Sequence, residues 1–143
     1  MHMKIIFICT GNTCRSPMAE GLFRRLLAER GIMDITCDSA GLFANPGEPA
    51  ADNAVTACRE LGVDLSSHRA KPLSQEMLQS ADLFVVMMQS HAGVLKSSGV
   101  PQEKIKVLGG GVGDPFGGSM AIYRASRDQI QKALEELLHE LGH

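Results

Sequence analysis

A doubly wound α/β fold with a mainly parallel sheet is what this chain predicts, and three observations carry the prediction. Strand-like and helix-like stretches alternate along its length. One run, Asp82-Leu83-Phe84-Val85-Val86-Met87-Met88, is nearly uniform in hydrophobicity, as a strand buried on both faces should be. At 143 residues, 44% hydrophobic and 21% charged, the chain is large enough to bury a core, and no linker divides it, so residues 1–143 read as one domain.

The elements follow in order. The apolar Ile5-Ile6-Phe7-Ile8 makes 4–8 a buried strand, and 17–30 has helical periodicity with Pro17 suited to a first helical turn. Residues 35–39 give a second strand and complete a βαβ opening. The turn-rich Asn45-Pro46-Gly47-Glu48-Pro49 marks a loop before a helix over 50–61. Ser74 is an N-cap for a short helix over 74–80 that turns Met77 and Leu78 inward. Strand 82–88, a helix over 90–98 and a strand over 105–108 come next. A last helix begins near Ser119 and carries Ile130, Ala133, Leu134, Leu137, Leu138 and Leu141 at three- and four-residue spacing, a stripe that packs on the sheet. Such folds bind ligands at the carboxyl ends of their strands, near a topological switch point.

The turn leaving the first strand is Cys9-Thr10-Gly11-Asn12-Thr13-Cys14-Arg15-Ser16-Pro17. Backbone N–H groups of a tight turn that opens a helix converge on one spot, and the helix dipole adds to them, so an anion belongs there. A loop curling through Gly11 aims the Cys9 sulfur at the centre of a phosphate while Arg15 grips two of its oxygens. The same positive field holds Cys9 as the attacking thiolate. Ser16 is placed to donate to that sulfur, both as nucleophile and as the later leaving group. The chemistry is phosphoryl transfer to sulfur followed by hydrolysis. Thr10, Gly11, Asn12, Thr13, Cys14 and Ser16 form the substrate cradle around the catalytic Cys9 and Arg15.

Residues 9–20, CTGNTCRSPMAE, resemble the active-site loop of the low-molecular-weight protein-tyrosine phosphatase family. Ser39-Ala40-Gly41, Ser67-His68-Arg69-Ala70, Ala81-Asp82-Leu83 through Val86-Met87, and Asp114-Pro115-Phe116 fall in the family's order, so the resemblance spans nearly the whole chain. It implies a four-stranded parallel sheet flanked by helices on both faces, in agreement with the pattern above. It also implies that Asp114 is the general acid for the leaving group, in a loop that the glycines at 109, 110, 111 and 113 let approach the site as a hinge. Asn12 tolerates a left-handed backbone; the resemblance ties it to Ser39 and His68, which gives His68 a structural rather than an acid–base role. The histidines at 2, 91, 139 and 143 are assigned none. For Cys14 the resemblance implies a reversible disulfide with Cys9 that shields the nucleophile; the alternative is that Cys14 only packs under the loop.

Substrate choice turns on Thr13 and the residues after Asp114. Tyrosine-specific members commonly carry a larger aliphatic residue at the position of Thr13 and an Asp-Pro-Tyr where this chain has Asp114-Pro115-Phe116-Gly117-Gly118. CTGNTCRSP with DPFGGS resembles the bacterial protein-arginine phosphatase branch. A small hydroxyl side chain leaves room for a polar, planar phosphoguanidinium, Phe116 stacks on that plane, and Asp114 pairs with its nitrogens. Arginine is therefore preferred over tyrosine. An arsenate reductase shares this loop but needs further cysteines to carry a disulfide outward, and residues 80–100 contain none. A phosphate-binding module without turnover is disfavoured because Cys9, Arg15 and Asp114 are all present.

The rest of the composition bounds the setting. The net charge is −2 with one Tyr and no Trp, which argues against a nucleic-acid surface. No apolar run is long enough for a membrane span and no signal peptide is evident, so a cytoplasmic monomer acting on phosphorylated proteins is expected. Cys37 and Cys58 read as small core residues. No metal ligand set and no cofactor is expected.

Overall fold

The computed structural model describes residues 2–143. Four strands, β1 (Met3–Cys9), β2 (Ile35–Gly41), β3 (Leu83–Val86) and β4 (Ile105–Val107), form one sheet in the order β2-β1-β3-β4. Every pairing is parallel. Five α-helices accompany it: α1 (Arg15–Glu29), α2 (Asp52–Arg59), α3 (Gln75–Ser80), α4 (Gln89–Ser97) and α5 (Met120–Glu140).

Strand periodicity sorts the core. Ile5, Phe7 and Cys9 of β1 point with Val85 and Met87 into a cluster built with α1, α2 and α5. Ile6 and Ile8 point with Phe84 and Val86 to the opposite face, where Met77, Ala81, Ala92 and Leu95 cover them. The edge-on pair Phe7–Phe23, with ring centres 5.4 Å apart, fixes α1 against β1 just below the turn that joins them. Because β1 lies between β2 and β3, its carboxyl end is the switch point of the sheet.

The expected strands and helices are all present, with shifted ends. Helix α1 begins at Arg15, so Pro17 sits within the first turn, where a missing N–H costs nothing. β2 runs on to Gly41, which pairs with Cys9. The helix expected over 50–61 is shorter at both ends; at its start Ala51 stays extended and donates its N–H to the Thr13 carbonyl at 2.9 Å. Ser74 and Ser119 are N-caps, accepting from Met77 N and Ile122 N. Among the described residues no helix is long and apolar enough to cross a membrane.

Candidate active site

The turn from β1 to α1 is a ring of outward carbonyls. The carbonyl of Cys9 accepts from Leu42 N (3.0 Å), that of Thr10 from Phe43 N (2.9 Å), that of Asn12 from His68 Nε2 (2.8 Å) and that of Thr13 from Ala51 N (2.9 Å). A carbonyl only accepts, so His68 carries its proton on Nε2. Among the described residues, none of the backbone N–H groups from Thr10 to Ser16 donates to a protein acceptor. Carbonyls turned out leave N–H groups turned in.

Asn12 holds the turn in place. It is fully buried and has φ 57°, the one positive φ among the described non-glycine residues. The turn thus passes through the left-handed region at Asn12 rather than at Gly11, whose φ is not positive. Asn12 Nδ2 donates to Ser16 Oγ (2.8 Å) and Ser39 Oγ (3.0 Å), and its Oδ1 accepts from Lys71 N (3.1 Å). Ser39 in turn donates to Glu20. Gly41 lies directly beneath: a Cβ there would stand 2.7 Å from the Thr10 carbonyl oxygen and 3.0 Å from Asn12 N, so a side chain would push the turn off the sheet.

Cys9 Sγ, at the centre, lies 2.8 Å from Ser16 Oγ. Since Asn12 donates to that oxygen, the Ser16 proton is free for the sulfur. Arg15 is only 2% exposed; Nη1 donates to the Val112 carbonyl (3.0 Å) and Nη2 lies 3.8 Å from Asp114 Oδ2. The other Asp114 oxygen accepts from Phe116 N (3.0 Å), which sets the carboxylate in a tight turn with its side chain about half exposed. Cys14 Sγ contacts Tyr123 Oη of α5 at 3.3 Å. Burial pushes the Cys14 thiol up, against the lowering pull of its hydrogen bonds to Tyr123 and Thr13. Tyr123 is likewise raised, chiefly by burial and then by Cys14.

A pocket of about 260 Å³ opens above the sulfur, lined by Cys9, Thr10, Gly11, Thr13, Cys14, Arg15, Phe43, Asn45, Glu48, Asp114 and Phe116. A larger cavity, about 510 Å³, flanks α1 on another side and holds His68 and Glu20, but neither Cys9 nor Arg15. Chemistry, not volume, singles out the smaller one. Of the residues singled out from the sequence, Cys9, Arg15, Thr10, Gly11, Thr13, Cys14, Asp114 and Phe116 line it, and Asn12, Ser16, Ser39 and His68 lie behind the turn.

The whole chain has known counterparts. Residues 4–143 match the family model for low molecular weight phosphotyrosine protein phosphatase. The chain belongs to that family. It is a cysteine-based phosphatase, and it is 42% identical to the protein-arginine-phosphatase of Bacillus subtilis, with 97% of both chains covered. It is also 35% identical to an arsenate reductase of Halalkalibacterium halodurans over 94% of this chain and 95% of the other. A solved structure of the YwlE arginine phosphatase, a mutant with a phosphorylated active-site serine, superposes with a TM-score of 0.92 at 40% identity, covering 98% of this chain and 96% of that one.

The phosphatase site also contains residues that sequence reasoning passed over. Phe43 and Glu48 line the pocket from the loop after β2, a segment with no periodicity to read. His91 reaches Thr10 from α4, and Tyr123 reaches Cys14 from α5; single residues on helices give no spacing signal. Cys37 and Cys58 are core residues as expected, and burial pushes both thiols up to about 12. Neither lines the pocket.

Proposed function

We propose that this chain dephosphorylates phosphoarginine in proteins, with Cys9 as nucleophile, Arg15 as phosphate clamp and Asp114 as general acid. The observation that carries the reading is the ring of inward N–H groups from Thr10 to Ser16 around a sulfur that shares its pocket with the buried Arg15 cation. The thiolate attacks phosphorus as the bond to the leaving nitrogen breaks, and Asp114 in its acid form passes its proton to that nitrogen. Water then attacks the phosphocysteine, Asp114 takes the water's proton, and the sulfur leaves as thiolate while Ser16 donates to it. The phosphorylated active-site serine of the YwlE mutant supports a phosphoenzyme of this kind.

The pocket's charge pattern favours a guanidinium over a phenol. Its base is cationic through Arg15, while the Glu48 carboxylate stands on its wall. Phosphoarginine has the complementary polarity, anion first and cation behind. Thr13 at the wall leaves space that an aliphatic side chain would fill. Phe43 and Phe116, each 75% exposed, stand at the rim where a protein substrate would dock. The reductase reading needs an outlet for a disulfide, and buried Cys37 and Cys58, away from the pocket and held as thiols, offer none. Cys14 shares the pocket with Cys9, which supports its role as resolving thiol: peroxide converts Cys9 to a sulfenic acid, and Cys14 displaces water from it to form the disulfide. A cytoplasmic monomer, without nucleic-acid or membrane partners, is the setting this reading carries.

The test is kcat/KM on matched phosphoarginine and phosphotyrosine peptides, with Cys9→Ser as the blank and Thr13→Ile alongside. A phosphoarginine preference that Thr13→Ile reverses is expected. Equal or better phosphotyrosine turnover by the unaltered protein would return it to tyrosine chemistry.

A further inference from the structure

His91 takes no part in the chemistry above, yet it touches the loop where that chemistry begins. The residue is 5% exposed, and its Nε2 lies 3.0 Å from Thr10 Oγ1. Its Nδ1 is buried without a partner. The contact crosses the switch point of the sheet. Met87 N, just past β3, donates to the Ile8 carbonyl (3.2 Å), and His91 N donates to the Met88 carbonyl (3.1 Å), so the start of α4 is sewn to the end of β1 beside Thr10.

Two steps fix the direction of the hydrogen bond. Burial, and then the Arg15 guanidinium, push the imidazole's pKa down, with Asp114 pulling weakly the other way, so the ring is neutral at neutral pH. A neutral ring has one proton to place. Put on Nδ1, it would be a buried donor with no acceptor, the kind of group folded proteins rarely leave unpaired; put on Nε2, it has the Thr10 oxygen. The Nε2–H therefore donates and Thr10 Oγ1 accepts. The Thr10 hydroxyl keeps its own proton, and among the described residues that hydroxyl has no other hydrogen-bond partner. Thr10 is exposed and lines the pocket above Cys9.

We propose that His91 is a positioning residue for the anion site: by occupying an oxygen lone pair of Thr10, it aims the Thr10 hydroxyl proton at a bound phosphoryl oxygen. The inference rests on the proposed function, in which this pocket holds the phosphoryl group. His91 itself touches neither substrate nor sulfur. It converts a freely rotating hydroxyl into a directed donor, adding one side-chain donor to the backbone N–H groups of the loop.

A double-mutant cycle tests this with orthophosphate as the probe, read both by direct titration and by competitive inhibition of p-nitrophenyl phosphate turnover. His91→Leu is expected to weaken orthophosphate binding about fivefold to tenfold, the scale of one hydrogen bond, and to raise KM more than it lowers kcat. His91→Gln, whose amide N–H reaches as far as Nε2, recovers most of the loss. Thr10→Val weakens orthophosphate comparably, and adding His91→Leu to it changes binding by less than about twofold. A full His91→Leu penalty on the Thr10→Val background overturns the proposal, as does a wild-type affinity in His91→Leu. If His91→Leu fails to fold, His91→Gln and the shorter His91→Asn supply the comparison, and equal affinity in those two overturns it. Failure of the underlying reading looks different: the unaltered protein then binds no orthophosphate and turns over no aryl phosphate.

Discussion

The two loops that meet over Cys9 are built on opposite plans. In the turn from β1 to α1, the carbonyls of Cys9, Thr10, Asn12 and Thr13 are tied to three separate segments, and Asn12, Arg15 and Ser16 are buried. In the segment from Gly109 to Gly118, the backbone ties to the rest of the fold lie on either side of an exposed tip. Val112 N donates to the Met87 carbonyl (2.7 Å) and Arg15 to the Val112 carbonyl, while Asn53 Nδ2 reaches the Gly118 carbonyl (3.2 Å). Between them Asp114 and Phe116 are exposed, and four glycines, 109, 110, 111 and 117, have positive φ. In the proposed reaction, the phosphate end is then fixed beforehand and the leaving-group end is carried on glycine-rich backbone. That division suits a reaction whose charge development is the same for every substrate while the group released differs.

The sharpest way to separate the two plans is to disable each without touching the other. Asp114→Asn removes the proposed proton donor from the adjustable loop and keeps an acceptor for Phe116 N in its turn. It is expected to lower kcat by about 10² to 10⁴ while orthophosphate affinity and the thermal midpoint stay put. A loss of affinity as large as the loss of rate would show that the acid loop also builds the anion site. Asn12→Ala attacks the fixed plan instead. It takes one donor from each of Ser39 and Ser16, orphans the Lys71 N–H, and leaves a Cβ-bearing residue with no compensating bond at φ 57°. We expect about 3 kcal/mol of lost stability in urea titration. Asn12→Gly should regain only the roughly 1 kcal/mol of backbone strain, and full recovery by Gly would mean that the side-chain ties contribute nothing.

This contrast also explains what the sequence could reveal. The rigid loop was legible because its chemistry is contiguous: Cys9, Arg15 and Ser16 lie within one turn between a strand and a helix, each recognisable by residue type. The strands and helices were legible because burial imposes a period, as in Ile5 to Ile8 and the stripe of α5. Contacts made by single residues across the fold carry no such period. Ser39 and His68 come into view through family resemblance alone, His91 is read as having no role, and Tyr123, Phe43 and Glu48 give no signal for the site. Element ends slipped for a related reason: Ala50 and Ala51 favour a helix locally, but a tertiary hydrogen bond to Thr13 holds Ala51 extended.

Glu48 offers a finer cut within the adjustable side of the pocket. Its backbone is pinned by the Ala70 N–H donating to the Glu48 carbonyl (2.7 Å), but its side chain is exposed. A rim carboxylate gains little from pairing in water, so Glu48→Gln is expected to lower kcat/KM on a phosphoarginine peptide only about twofold to fivefold. Phosphotyrosine turnover should not fall. Equal losses on both peptides would assign Glu48 to the fold of its loop and not to the leaving group.

The smallest effect lies behind the adjustable loop, where α5 is fastened to α2. Glu60 accepts from Arg124 in a two-pronged pair at 3.0 and 2.8 Å, and from the nearly buried Arg127 at 2.7 Å. The Arg124 hydrogen bonds, then those of Arg127, bring the Glu60 carboxyl down from its ordinary 4.5 to about 2. A carboxyl depressed by folding stabilises the folded state fully above the unfolded value, and that contribution is lost as pH falls through the folded value. Glu60→Gln should therefore lower the thermal midpoint by a constant amount from neutral pH down to about 4.5, with the gap to the unaltered protein closing between there and pH 2. Activity at neutral pH should be unchanged, since neither Glu60 nor its partners line the pocket. A midpoint gap that persists undiminished at pH 2 would mean that Glu60 holds α5 by packing rather than by charge, and the rear fastening of the acid loop would then be insensitive to acid.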